Sequence, residues 1–137
     1  MITLNVINIA FTEINSKKEN PAKGSVNVSN NVKVLSIKES KLNLDKSRKT
    51  IELDFEYSTK YSPDIGEIVL KGRLLAIDEE KAVTELLKSW EKDKKIEKEK
   101  APMYLNPIMN KSVLQTIIMA RELELPSPIP LPSVKKE

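Results

Sequence analysis

The chain changes its pattern of apolar and polar residues near the middle. Over residues 2–14, Ile2, Leu4 and Val6 fall on one parity and Ile7, Ile9 and Phe11 on the other. Side chains of a strand alternate faces with a period of two, so this predicts a strand with a β-bulge or bend between Val6 and Ile7. Residues 15–25, NSKKENPAKGS, have turn chemistry throughout and read as a polar loop. Val26, Val28, Val32 and Val34 share a parity and predict a second strand, with Asn30-Asn31 marking a turn or irregularity. The clearest strand is 50–60, where Ile51, Leu53, Phe55 and Tyr57 alternate with Glu52, Asp54 and Glu56. After a turn at Ser62-Pro63-Asp64, a fourth strand over 67–77 sets Ile68, Leu70, Leu74 and Ala76 against Lys71 and Arg73. Four consecutive strands with short connections predict an antiparallel sheet.

The second half switches to helical spacing. Val83, Leu86, Leu87 and Trp90 stand at i, i+3, i+4 and i+7 and predict a helix over 79–99. Beyond Trp90, Ile96 is the sole apolar residue of EKDKKIEKEK, so this helix has one short sticky face and a projecting polar end. A second helix is predicted over 110–124, with Ser112 and Gln115 spaced like a capping box. Its Val113, Leu114, Ile117, Ile118, Met119, Ala120 and Leu123 cover too much of the circumference for a surface helix. One side can lie on the sheet, and the other needs a second helix, a partner subunit or a ligand. The chain then reads LPSPIPLPSV over 125–134. Alternate prolines remove backbone donors and favour an extended path. The interleaved Ile129, Leu131 and Val134 predict a strap docked on protein.

These elements predict an α+β fold: a four-stranded antiparallel β-sheet, two helices and a C-terminal proline-rich extended segment. With 137 residues, a single domain is expected. About two-thirds of the unfolded surface is buried at this size, so oligomerisation would supplement a modest core. Cysteine and histidine are both absent, which excludes disulfides, thiol nucleophiles, Cys/His zinc sites, the serine–histidine triad and histidine general bases. The net charge is only +3, and residues 79–100 hold seven acidic and seven basic side chains, so nucleic acid is not an expected partner. No stretch approaches the ~20 apolar residues of a membrane span. MITLNVINIAF lacks the basic leader and cleavage site of a signal peptide, and the expected location is the cytoplasm.

Catalysis would have to use carboxylates, lysines or hydroxyls. Glu52, Asp54 and Glu56 share a strand face and read as the solvated outside of the sheet. Glu79 and Glu80 suit the positive end of a helix dipole. The spacing of a calcium loop is missing, and Gly24, Gly66 and Gly72 cannot form a phosphate cradle. Phe55 and Tyr57 take the inward parity, which leaves Tyr104, between the helices, as the aromatic expected to be exposed. The chain is read as a non-enzyme without cofactor or metal.

From Tyr104-Leu105-Asn106-Pro107-Ile108, through the helix with its Ala120-Arg121-Glu122 step, to Leu125-Pro126-Ser127-Pro128-Ile129-Pro130-Leu131-Pro132-Ser133-Val134, the chain resembles the SecB family of export chaperones. SecB proteins carry a similar order: a short Pro-containing approach, a helix with an Ala-Arg-Glu step, then a Pro-rich segment ending in Pro-x-Val. The charged 42–49 segment and the alternating 50–60 strand fit the family's second and third strands. The helix over 79–99, the lack of the family's final helix after Val134 and the slightly basic charge mark a divergent member. It is closer in kind to a toxin–antitoxin-associated or archaeal SecB-like protein than to an ordinary export chaperone.

The resemblance implies an ATP-independent holdase that binds unfolded polypeptide clients through exposed apolar grooves rimmed by charge. The groove candidates are Tyr104 and Leu105, then Leu114, Ile117, Ile118 and Arg121 on the apolar helix, and Ile129, Leu131 and Val134 on the strap. A homo-oligomer, dimer or tetramer, is implied as well. The residues alone leave a second reading open: a non-catalytic oligomeric interaction module, without chaperone activity, whose apolar helix pairs and whose strap seals the interface.

Overall fold

The computed structural model describes residues 4–21, 24–41 and 47–129. Four strands, β1 (Asn5–Lys18), β2 (Asn27–Glu39), β3 (Arg48–Ser62) and β4 (Gly66–Glu79), precede two helices, α1 (Glu80–Asp93) and α2 (Ala101–Glu122). The strands form one antiparallel sheet in the order β1-β4-β3-β2. This is the α+β architecture expected from the sequence.

Alternation along β3 sorts the two faces. Ile51, Leu53, Phe55 and Tyr57 are buried under the helices, while Glu52, Asp54 and Glu56 look outward. Gly72 of β4 stands in register with both Phe11 and Phe55. A Cβ there would fall 2.5 Å from the Ala10 carbonyl and 2.6 Å from the Phe55 ring, so only glycine fits. In the space it leaves, Phe11 and Phe55 meet edge-on at 6.3 Å.

Bulges reset the phase where apolar residues change parity. The β1 register skips Ile7 between Val6 and Asn8, where the parity shift predicted it. A second skip falls between Phe11 and Glu13. On β2 the skip lies between Val34 and Ser36, which turns Ile37 into the core and Leu35 outward.

Several expected boundaries move. β1 continues into the polar 15–25 stretch because Ser16 and Lys18 pair with Ile68 and Gly66, and a long partner strand overrides turn propensity. Asn30-Asn31 does not interrupt β2, since both pair with β3, and Thr59 Oγ1 donates to Asn30 Oδ1 at 2.7 Å. The first helix ends at Asp93 rather than 99. Past Trp90 a straight helix would bury nothing; instead Lys94 takes a left-handed conformation (φ 54°), and Ile96 packs against the core. The second helix starts at Ala101 rather than 110. Pro102 lies in the first turn, where its missing N–H is not needed. Pro107 removes one backbone bond, which the buried stripe Tyr104, Ile108, Ser112, Thr116 and Ala120 offsets by seating the helix on the sheet. Ser112 is therefore a mid-helix core residue, not a cap.

Two adjoining clusters form the core between helices and sheet. One joins Leu53, Phe55, Val83, Leu86, Trp90, Tyr104 and Ile108, and the other joins Tyr57, Tyr61, Ile68, Leu70, Ala120 and Leu125.

Candidate functional site

A groove opens where the end of α1, the start of α2 and the edge of the sheet converge. It has a volume of about 550 Å3, within the ~300–1,000 Å3 of ordinary ligand pockets. Val32, Val34 and Leu35 of β2 form one wall, with Trp90, Ile96 and Leu105 as floor and far side. Each is there for a local reason. The bulge displaces Leu35 outward and leaves it 44% exposed. Trp90 is the last apolar residue of the α1 stripe, 8% exposed. The left-handed turn at Lys94, closed by its N–H to the Trp90 carbonyl at 2.8 Å, folds Ile96 back beside it. Ser89 Oγ donates to the Lys95 carbonyl at 3.0 Å and fixes the next residue.

The rim is basic. Lys33, Lys94 and Lys95 line the groove, and among the described residues no carboxylate does. The Lys94 ammonium stands 5.7 Å from the centre of the Trp90 ring, within cation–π range. β2 is the end strand, and among the described residues no strand pairs with its outer side. Alternate N–H and C=O groups along it therefore point away from the sheet, an edge able to accept another strand.

A second apolar surface lies on α2. Leu114 is 65% and Ile118 51% exposed, Arg121 is exposed one turn on, and Ile117 is half-buried. Lys111, on the same side as Leu114 and Ile118, ties the helix to β1: its ammonium donates to the Ile9 carbonyl and lies 5.4 Å from the centre of the Phe11 ring.

The strap leaves α2 through a Schellman turn. Glu124 is left-handed (φ 54°), its N–H bonds to Arg121, and the Leu125 N–H bonds to Ala120 at 2.8 Å. Tyr61 Oη then donates to the Pro126 carbonyl at 2.8 Å, and Asn30 Nδ2 to that of Pro128 at 3.0 Å. Leu125 and Pro128 are buried, so residues 125–128 are docked on protein and are core packing, while the expected strap beyond Ile129 lies outside the described residues.

The predicted site residues thus fall in separate places. Leu105 lines the groove, while Leu114, Ile117, Ile118 and Arg121 gather on α2 away from its buried stripe. Ile129 is 37% exposed at the end of the docked strap, and Leu131 and Val134 lie outside the described residues. Tyr104 corrects the expectation of exposure: once α2 begins at Ala101, Tyr104 joins its inner stripe and is 2% exposed. Burial, with a smaller contribution from Asp78, pushes its hydroxyl up to about 12. Sequence reasoning missed Leu35, Trp90 and Ile96 as groove residues. The signals were the parity break at Val34-Leu35 and a lone apolar residue in a charged run.

The outer face of the sheet is an ionic mesh without a reactive group. Asp54 accepts from Arg73 Nε at 2.9 Å and from Ser36 Oγ at 3.0 Å, and Lys38 pairs with Glu52 at 3.4 Å. Burial pushes the Asp54 carboxyl up, but these hydrogen bonds outweigh it and hold it below the usual carboxylate range. Among the described residues no group of three or more acidic side chains is placed to hold a metal. None of the described helices is long and apolar enough to cross a membrane.

No family model matches the chain, and no curated protein matches it in sequence. In fold it is similar to a SecB-like chaperone of Mycobacterium tuberculosis, solved in complex with a ChAD peptide from the HigA1 antitoxin. The TM-score is 0.57 at 9% identity, covering 98% of this chain and 93% of that one. The likeness is one of fold.

Proposed function

We propose that this protein is an ATP-independent, cytoplasmic holdase that binds extended stretches of non-native polypeptide along β2. The observation that carries the reading is a strand edge that no described strand pairs with, running beside an apolar groove. A chain laid along that edge satisfies its own backbone by strand addition, and every second side chain turns toward Trp90, Ile96 and Leu105. Backbone hydrogen bonds are the same for any sequence, so clients of many kinds fit. Covering the groove gains ~25 cal/mol for each Å2 of apolar surface removed from water, and association costs at least ~4 kcal/mol. Weak, reversible capture is the result, which suits a holdase. The fold likeness to a peptide-bound SecB-like chaperone supports the reading.

Leu114 and Ile118 favour a second contact. Pairing of the outer faces of α2 between copies would cover both and give a homo-oligomer, dimer or tetramer. If that were the protein's whole purpose, it would be an interaction module without chaperone activity.

The test is light scattering of a chemically unfolded client, run without nucleotide beside a mass measurement of the free protein. Suppression near equimolar protein, weakened by Leu35→Asp, is expected. A stable oligomer that leaves aggregation unchanged would overturn the holdase reading in favour of the module.

A further inference from the structure

We infer that the groove selects a particular class of client: extended segments in which an apolar side chain and a carboxylate stand two residues apart, on the same face of the strand. This rests on the holdase reading and adds to it what the groove discriminates.

The lining carries Lys33, Lys94 and Lys95 and, among the described residues, no acidic residue. Some lysines elsewhere on the surface pair with carboxylates: Lys38 with Glu52, Lys49 with Glu39 and Glu80, Lys100 with Glu85. Among the described residues, Lys94 and Lys95 form no such pair. Lys33 stands in register with Glu56 on the neighbouring strand, and the case rests on the other two. Both follow the last turn of α1, whose partial negative end favours a positive charge there without cancelling it.

Position turns this charge into selectivity. The Lys94 ammonium lies 5.7 Å from the centre of the Trp90 ring, directly beside the apolar floor. Successive side chains of a strand point to opposite faces, so with one client side chain seated near Trp90 the residues two positions away, ~7 Å on, turn to the same side as both lysines. A carboxylate there meets unpaired cations, and a lysine or arginine meets like charge. Exposed ion pairs are individually weak, so two of them favour an acidic segment over its basic counterpart by ~10-fold at low salt. Single-stranded nucleic acid fits less well, because it needs an open aromatic face to stack on and Trp90 is only 8% exposed.

The experiment uses the full chain and three dye-labelled peptides in which one face carries leucines alternating with Glu, Gln or Lys at every second position, with serine at all intervening positions. Binding is read by anisotropy at low and at high salt, with a single-stranded oligonucleotide alongside. The Glu peptide should bind most tightly and the Lys peptide least. The ratio should collapse toward one at high salt, and in a variant carrying Lys94→Asn, which tolerates the left-handed backbone, with Lys95→Gln. Equal affinity for all three peptides would overturn the charge selection and leave the holdase reading standing. Failure of every peptide to bind would overturn both. An oligonucleotide that binds more tightly than the Glu peptide, and loses affinity in the double variant, would assign the basic rim to nucleic acid instead.

Discussion

Replacing Leu35 with alanine trims the groove without disturbing strand pairing. Leu35 sits at the β2 bulge, between the registered Val34 and Ser36, and takes no partner on β3. Full burial of a leucine is worth about 1.5–3 kcal/mol. The 44% of Leu35 still open to water would contribute roughly 0.7–1.3 kcal/mol when a client covers it. Leu35→Ala should therefore weaken client binding about three- to ninefold. The part already covered sets the cost in stability at about 1–1.5 kcal/mol, small enough to leave the protein folded. Leu114→Ala is the matched control, since Leu114 is more exposed, at 65%, but lies on α2 outside the groove. Kd for an unfolded client, measured by anisotropy on both variants, separates the surfaces. An unchanged Kd for Leu35→Ala with a weakened one for Leu114→Ala would refute the placement of the client along β2 and move it to the helix.

Two further predictions concern the frame that holds the groove. Ser112 Oγ is buried under α2 with no hydrogen-bond partner, so Ser112→Ala should raise the unfolding free energy by roughly 1–2 kcal/mol; a lower denaturant midpoint would show that the hydroxyl is satisfied. Burial pushes Tyr61 and Tyr104 from the usual 10 up to about 12, and Tyr57 upward as well. The folded state favours their neutral forms, so stability is full below pH 10 and is lost as pH rises toward 12. Tyrosinate absorbance should therefore appear together with unfolding, and its appearance near pH 10 with intact circular dichroism would count against the burial described.

How much of this was legible in the sequence depended on how local its cause is. The β3 alternation and the β1 bulge could be read directly because period-two patterning records which face is buried. The α2 boundary could not, because Pro102 and Pro107 read as helix breakers. Only the folded packing reveals that one is harmless in a first turn and the other is outweighed by a stripe of sheet contacts. Tyr104 was misplaced for the same reason. The groove was the least legible feature. Leu35, Trp90, Ile96 and Leu105 come from four successive parts of the chain, and their convergence depends on a bulge and on one left-handed residue at Lys94. The strap was expected to dock through Ile129, Leu131 and Val134, but Ile129 is exposed and the other two lie outside the described residues. That Leu125 and Pro128 would be buried, rather than offered to a partner, was set by the Schellman turn ending α2.

Trp90 offers the most direct test, because it is the single tryptophan of the chain and lies at the floor of the groove. Its emission should be followed while a tryptophan-free unfolded polypeptide is added. A saturable change that tracks suppression of aggregation, and disappears in Leu35→Asp, is the expected result. Full capture of the polypeptide with Trp90 emission unchanged would contradict binding beside β2.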